Sequence, residues 1–335
     1  MTRLAELTTL HVGGPAREII FAKSETQLIA AVQSADNAGT PLLILGGGSN
    51  VLINDAGFDG IVLLVQTEGN SYEIDACSGG MLQVAAGVNW DDFVAFTLEK
   101  NLANLESLSG IPGTVGAAPI QNIGAYGHEV GEVIARVRAY DREKKEVHTF
   151  TASECGFEYR SSIFKTSADR YVILDVTFQL RRGESSLPIA YKELADACGV
   201  ELGARVPTRE LRQKVLEIRA AKGMLYSQSE QNWSAGSFFT NPIVAPEVAA
   251  ALPASAPQFV QPDGRVKLSA AWLIQNSGIE KGLRHGGAQV SEKHVLALMN
   301  SGSATAAEIA ELAQLITEKV KTHFGIELTP EVRFI

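Results

Sequence analysis

LGGGSNVLI, residues 45–53, closes the apolar run PLLIL (41–45) with three consecutive glycines and a Ser-Asn pair. Glycines have no Cβ, so their N–H groups can approach an anion closely and form a concave nest around it. The stretch is not the fingerprint of a doubly wound dinucleotide fold, because Gly-x-Gly-x-x-Gly is missing and the apolar VLI, not an obvious helix, follows. Nor is it a Walker loop, since no Gly-Lys-Ser/Thr closes it. Read alone it is a tight turn as often as a phosphate cradle, and its surroundings must decide.

Those surroundings alternate helix and strand. Ser24 followed by Gln27 reads as a capping box, and Leu28, Ile29, Val32 and Ala35 then recur at helical spacing until Gly39. PLLIL (41–45) and GIVLLV (60–65) are short strand-like runs bounded by glycine, and Trp90, Phe93, Val94, Thr97 and Leu98 return to helical periodicity. The first third is therefore α/β. YVILDVTFQLR alternates, with Val172, Leu174, Val176, Phe178 and Leu180 on one face and Asp175, Thr177 and Gln179 on the other, so a half-buried strand is expected. RRGESSLP (181–188) reads as a connection before the helix RELRQKVLEIRAAKG, closed by Gly223, and a domain boundary is expected between 185 and 222. A second capping box, Thr305 to Glu308, starts a helix carrying Ile309, Leu312, Ile316, Val320 and Phe324 on one stripe before Gly325. A short strand-like tail, IELTPEVRFI, follows.

The chain of 335 residues, 45% hydrophobic, is long enough for two or more domains. Its net charge of nine negative gives no overall basic field for nucleic acid or an anionic bilayer, so an anionic ligand must be held by local charges. No stretch approaches the roughly 20 apolar residues that span a bilayer, and the N-terminus carries no signal-like segment, so a cytoplasmic location without membrane insertion is expected. Cys77, Cys155 and Cys198 are far apart and lack metal-ligand spacing, which reads as free core thiols in a reducing compartment and no metal site.

A second glycine cluster, SGIPGTVGAAPIQNIGAYG (109–127), has almost no bulky side chain between Pro112 and Pro119. So many small residues cost chain entropy, which makes sense where backbone must lie flat against a ligand. Together the two clusters favour a buried pyrophosphate with a flat ring over a plain structural loop. In SAGSFFTNP (234–242), Ser237 cannot belong to a Gly-x-Ser-x-Gly nucleophile elbow, because Phe239 occupies the second small position. It is either a turn residue or a hydroxyl with some other task.

Six stretches, LGGGSNVLI, IPGTVGAAPIQNIGAYG, YRSSIFK, AGSFFTNP, GGAQVSEKH and PEVRF, together resemble the flavoprotein family of UDP-N-acetylenolpyruvoylglucosamine reductases, in the form with a tyrosine-bearing substrate loop. The resemblance implies a mixed α/β (α+β) fold. An FAD-binding region of the vanillyl-alcohol-oxidase type would span 1–182, as subdomains of about 1–65 and 66–182. A connection with the tyrosine loop would occupy 183–222, a smaller α/β substrate domain 223–325, and a tail returning to the active site 326–335. It also implies non-covalent FAD, because the first loop offers Ser49 and Asn50 where relatives in the wider fold carry a tethering histidine. The expected cofactor residues are Gly46, Gly47, Gly48, Ser49 and Asn50 in the first loop. In the second they are Gly110, Pro112, Gly113, Thr114, Gly116, Ala117, Asn122, Gly124, Ala125 and Tyr126. Carried over by motif, Arg160, Ser237 and Glu331 look like the catalytic set, and Tyr191, Lys222, Asn241 and His294 like substrate contacts. The chain departs from some members in its longer MLYSQSEQNW segment and in Thr240, where others carry lysine.

The implied reaction reduces the enolpyruvyl ether of UDP-N-acetylglucosamine to UDP-N-acetylmuramate for peptidoglycan and cell-wall synthesis, with NADPH as reductant. In that scheme Arg160 and Glu331 stabilise charge on the carboxylate and Ser237 donates the proton. NADPH and the nucleotide sugar would take turns in one shared site on a monomer. Two other readings stay open: an FAD-dependent alcohol oxidase of the same fold, and a non-catalytic nucleotide-sugar binding protein, whose purified form would be colourless.

Overall fold

A computed structural model describes residues 3–75, 79–167, 169–226 and 233–335. Cys77 lies outside the described residues. The chain forms two compact units: a larger one from Ala16–Gly47 and Asp59–Ala220, and a C-terminal one from the chain up to Pro15, Gly48–Phe58 and Ala221–Ile335. They are interleaved in sequence. Backbone bonds explain why the early pieces join the C-terminal unit: Thr9 N donates to Gly48 O at 3.1 Å, Arg333 N to Asn50 O at 3.0 Å and Asn54 N to Ile335 O at 2.9 Å.

The larger unit opens with strand β1 (Ala16–Ala22) and helix α1 (Glu25–Ala38). Ser24 caps α1 by accepting from Gln27 N at 3.2 Å, but the Gln27 side chain accepts from Lys23 N, so the cap is not a reciprocal box. Leu28, Val32 and Ala35 are its buried stripe, and Gly39 ends it in the left-handed region at φ 62°. Strands β2 (Leu42–Leu45) and β3 (Phe58–Val65) pair in parallel, Leu42 opposite Ile61, in a three-stranded sheet of order β1-β3-β2.

A second, antiparallel sheet follows. It is built from β4 (Asn70–Asp75), β5 (Gly79–Ala85), β6 (Ile134–Asp141), β7 (Glu146–Thr151) and β8 (Tyr171–Arg182) in the order β7-β6-β8-β5-β4, with Leu102–Ala103 pairing on the end of β8. Strand β8 corrects the half-buried expectation. Ile173 and Asp175 are buried along with the apolar face, because β8 is central and flanked by β6 and β5. Asp175 tolerates that burial by accepting from Gln83 Nε2 at 2.9 Å and pairing with Arg138. Only its far end, from Thr177, returns to alternation.

Helix α2 (Trp90–Glu99), capped by Asn89, buries all five residues of its expected stripe against this sheet. The Phe93 and Phe178 ring centroids lie 4.8 Å apart, beside Trp90. The Trp90 indole N–H donates to Leu108 O at 2.9 Å, so the core itself anchors the entry to the 109–127 loop. Helices α3 (Lys192–Cys198) and α4 (Thr208–Ala221) enclose a small separate cluster around Ile189, Leu194, Leu211 and Val215. Cys155 is buried and free, its thiol pushed up to about 12 by burial, and Cys198 is free and half-buried.

The C-terminal unit is organised by helix α6 (Ala306–Phe324), which follows the shorter helix α5 (Ala270–Asn276). The Thr305–Glu308 box is present in both directions, and Ile309, Leu312, Ile316 and Val320 are buried. They meet short strands at Trp233–Ser234, Leu298–Asn300, Ala288–Val290 and Arg284–His285, paired in that order. The tail forms a strand only at Arg333–Phe334, parallel to Val51–Leu52. No helix of the described residues is long and apolar enough to cross a membrane.

Candidate functional site

In the larger unit, the end of β2 runs into the glycine-rich loop. A Cβ added to Gly47 would stand 2.7 Å from Gly113 Cα, and one added to Gly116 only 2.5 Å from Ala86 Cβ. Approach this close leaves room for no side chain, so these glycines are read by contact and not by turn type alone. Trp90 N donates to Gly113 O at 3.1 Å, Val115 N to Val88 O at 2.9 Å and Gly116 N to Ala86 O at 2.8 Å, which stitches the loop to the segment after β5.

The start of the loop is gripped on both sides of one peptide group. Asp91 accepts from Gly110 N at 2.6 Å, and Arg219 Nε donates to Gly110 O at 3.1 Å. Arg212 forks onto Asp91 at 2.6 and 2.8 Å. Burial pushes the Asp91 carboxyl up, but the Arg212 fork and the Gly110 amide outweigh it and hold the group below its ordinary value. Burial pulls the Arg219 guanidinium down, opposed by Tyr126 and Asp91. Arg219 was not foreseen among the site residues, although Leu211, Val215 and Arg219 share a spacing of four on one helix face.

The end of the loop turns on non-glycine residues in the left-handed region. Asn122 has φ 46° and Tyr126 φ 52°. Asn122 is buried and donates to Glu129 Oε2 at 2.6 Å and Glu158 O at 3.1 Å, while accepting from Gly131 N at 2.8 Å. Its side chain therefore shapes the loop. Burial pushes the Tyr126 phenol up to about 12, against the pull of Arg219, so it is neutral near pH 7.

The tyrosine-bearing segment lies against this turn. Tyr126 and Tyr191 meet edge to face at 6.0 Å between centroids, and a Cβ at Gly127 would stand 2.9 Å from Ala190 Cβ. Tyr191, 45% exposed, sits immediately before α3. Leu187 N donates to Glu106 Oε1 at 3.3 Å, and the His128 imidazole meets Glu132 at 3.1 Å and bonds the Pro188 backbone. The Glu132 carboxylate pushes the His128 pKa up, with burial opposing.

Arg160 sits at φ 54° in the tight turn Glu158–Ser161, where Ser161 N bonds Glu158 O at 3.1 Å. The left-handed region costs an ordinary side chain roughly 1–2 kcal/mol, so the turn tolerates strain at this arginine. Its Nη2 donates to Gly124 O at 2.8 Å, which brings the guanidinium to the glycine loop.

The other two residues of the expected catalytic set belong to the C-terminal unit, and the structure brings them together. Ser237, half-buried, follows Gly236 at φ 71°. No helix follows it, so this is not a nucleophile elbow; Phe239 instead bridges Pro330. Glu331 N donates to Phe238 O at 2.8 Å and Thr240 N to Thr329 O at 3.0 Å. Ser237 and Glu331 thus lie on adjacent hydrogen-bonded segments. Phe238 and Phe239 are fully buried core residues that hold one of those segments in place. Asn50 Nδ2 donates to Glu331 O at 3.2 Å, tying the first glycine loop to the tail.

Two of the remaining expected substrate contacts adjoin the Ser237 segment: Asn241 lies four residues along it, and Phe238 N donates at 2.7 Å to Leu296 O in the His294 turn. Asn241 Oδ1 accepts from Ala270 N at 2.9 Å at the start of α5. His294 Nδ1 accepts from Leu296 N at 3.2 Å within its own turn. Lys222 is half-buried just past α4.

The donor set fits a flavin dinucleotide: bare backbone where Gly47 meets Gly113, a neutral phenol at Tyr126 and a cation at Arg219.

Comparison with known proteins matches a model of FAD binding domains over residues 16–150. A model of the C-terminal domain of UDP-N-acetylenolpyruvoylglucosamine reductase matches residues 228–335. A protein of that name from Cutibacterium acnes is 52% identical over 99% of this chain and 89% of its own length. Another from Streptomyces coelicolor is 47% identical over 98% of this chain and 88% of its own. Among solved structures, the UDP-N-acetylenolpyruvylglucosamine reductase (MurB) of Thermus caldophilus superposes with a TM-score of 0.68 at 26% identity, covering 99% of this chain and 97% of the other.

Proposed function

Because the chain belongs to the UDP-N-acetylenolpyruvoylglucosamine reductase family, we propose that Arg160, Ser237 and Glu331 reduce the enolpyruvyl ether of that nucleotide sugar to UDP-N-acetylmuramate. The protein is a flavin-dependent oxidoreductase of peptidoglycan synthesis. The observation that carries this reading is the relationship over nearly the whole chain, which includes both the flavin domain and the C-terminal domain.

FAD, held without a covalent bond by the Gly46–Asn50 turn and the 110–126 loop, supplies the hydride chemistry that side chains lack, and NADPH is the reductant. When the terminal vinyl carbon of the substrate receives hydride, negative charge develops on the adjacent carboxylate. The Arg160 guanidinium, a planar fork suited to a carboxylate, stabilises that charge where it appears. Glu331, as an acid, shares it. The carbon bearing the carboxylate must then take a proton on one face, and Ser237 Oγ–H donates it. Lys222 steadies the alkoxide that remains until solvent returns the proton. Asn241 and His294 position the sugar nucleotide, and Tyr191 closes over its diphosphate. NADPH and the sugar take turns in one site, on a cytoplasmic monomer whose flavin region is 1–182 and whose substrate domain is 223–325.

Ser237→Ala tests the assignment. Consumption of NADPH in the absence of sugar keeps its wild-type rate, and reduction of the enolpyruvyl sugar slows by roughly 100- to 10,000-fold, the usual loss for a positioned general acid. Ser237→Cys, a more acidic donor, recovers part of the rate. An alanine variant that reduces the sugar at the wild-type rate would remove the hydroxyl from the mechanism.

A further inference from the structure

Two threonines stand side by side in the turn that supports Gly48, and the structure uses them differently. Thr8 Oγ1 donates to Val12 O at 3.2 Å, closing its own turn. Thr9 is equally hidden, 3% exposed, yet its hydroxyl has no hydrogen-bond partner among the described residues. A buried hydroxyl without a partner costs folding free energy that a valine of the same shape would not, so such an atom calls for an explanation.

The position of Thr9 supplies one. Its amide donates to Gly48 O at 3.1 Å, and a Cβ added to Gly48, at φ 61°, would stand 1.9 Å from Leu7 O and 2.9 Å from Thr8 Cα. The Leu7–Thr9 backbone is therefore the floor on which the Gly48–Asn50 turn rests. The tail fixes the same turn, through Arg333 N to Asn50 O at 3.0 Å and Asn50 Nδ2 to Glu331 O at 3.2 Å. With Thr8 committed to its own turn, the spare donor on this floor is Thr9.

We propose that Thr9 is a further FAD-binding residue, its hydroxyl donating a hydrogen bond to an oxygen of the cofactor diphosphate at the Gly48–Asn50 turn. Thr9 lies before the segment matched by the FAD-domain model, which begins at residue 16. The inference rests on the flavin reading above. A diphosphate oxygen is a charged acceptor, which makes such a bond stronger than one between neutral groups.

Thr9→Val keeps the shape and removes the donor, Thr9→Ala removes both, and Thr9→Ser keeps the hydroxyl. Each full-length apoprotein is melted and then titrated with FAD and, separately, with riboflavin, which lacks the phosphates. Thr9→Val should melt at or above the wild-type apoprotein temperature and bind FAD about tenfold more weakly, equivalent to about 1.4 kcal/mol, with riboflavin affinity unchanged. Thr9→Ser should bind FAD like the wild type, and Thr9→Ala should share the loss whether or not the valine fits. Wild-type FAD affinity in both Thr9→Val and Thr9→Ala would overturn the inference while leaving the flavin reading intact. A lower melting temperature with equal losses for FAD and riboflavin would also overturn it, by making the hydroxyl a structural one. A wild-type protein that binds no FAD would overturn both.

Discussion

Gly116→Ala probes the contact on which the glycine loop depends. The new Cβ would begin 2.5 Å from Ala86 Cβ, 3.0 Å from Ala86 Cα and 3.1 Å from Ala86 O. Non-bonded carbons settle at about 3.5–4.0 Å, so Gly116 must withdraw by about 1 Å, because Ala86 has no flexible end to move aside. That withdrawal stretches the bond from Gly116 N to Ala86 O, now 2.8 Å. Overpacking costs about 1–3 kcal/mol and the backbone bond about 1 kcal/mol, so the variant loses about 2–4 kcal/mol. Binding geometry tolerates only about 0.5 Å, so FAD affinity falls as well. Urea unfolding of the apoprotein reads the first effect as a lower midpoint at unchanged slope, and FAD titration reads the second. Ala86→Gly in the same chain removes the 2.5 Å contact but leaves those at 3.0 and 3.1 Å, so the double variant recovers part of both losses. A Gly116→Ala protein with the wild-type urea midpoint and FAD affinity would refute the reasoning.

Asp91→Asn should weaken the hold on Gly110 and leave Arg212 without its counter-charge. The pair is partly exposed, so the expected loss is at the low end of about 1–3 kcal/mol, read by urea unfolding, with a larger effect on FAD affinity than a surface Asp→Asn control. His128 has a raised folded-state pKa, so its link to Glu132 contributes stability that is complete below the ordinary 6.5 and is lost as pH rises through the folded value. His128→Gln should therefore be less stable than the wild type below pH 6.5 and converge on it as the pH rises through the folded value; a gap that does not change with pH would sink this assignment. Arg160→Lys and Glu331→Gln should fold and consume NADPH normally without sugar, yet reduce the sugar much more slowly, and near-normal turnover in either removes that residue.

Local rules made the helices legible. The caps at Ser24 and Thr305 and the stripes of α1, α2 and α6 depend on residues within a few positions of one another. Strand β8 was legible as a strand, but the burial of Asp175 was not, because its partners Arg138 and Gln83 come from two other strands. The interleaving of the units was hidden for the same reason: Thr9 meets Gly48, and Asn50 meets Arg333, only after the chain has folded.

The site divides in the same way. Glycine-rich loops announce themselves by composition, and family resemblance named Arg160, Ser237 and Glu331. What composition could not show was the left-handed backbone at Asn122, Tyr126 and Arg160, since none is glycine. Arg219 hid in a helix rich in charge, whose sequence reads as a solvated face. Thr9 was invisible because an unsatisfied hydroxyl is defined by what surrounds it.

The most direct test of the proposed reaction is anaerobic turnover with NADPH and the enolpyruvyl sugar nucleotide as sole acceptor, followed by product identification. The account predicts that the flavin absorbance is bleached by NADPH alone and returns when the sugar is added, with one UDP-N-acetylmuramate formed for each NADPH consumed. Bleaching that is reversed only by oxygen, with the sugar recovered unchanged, would contradict it.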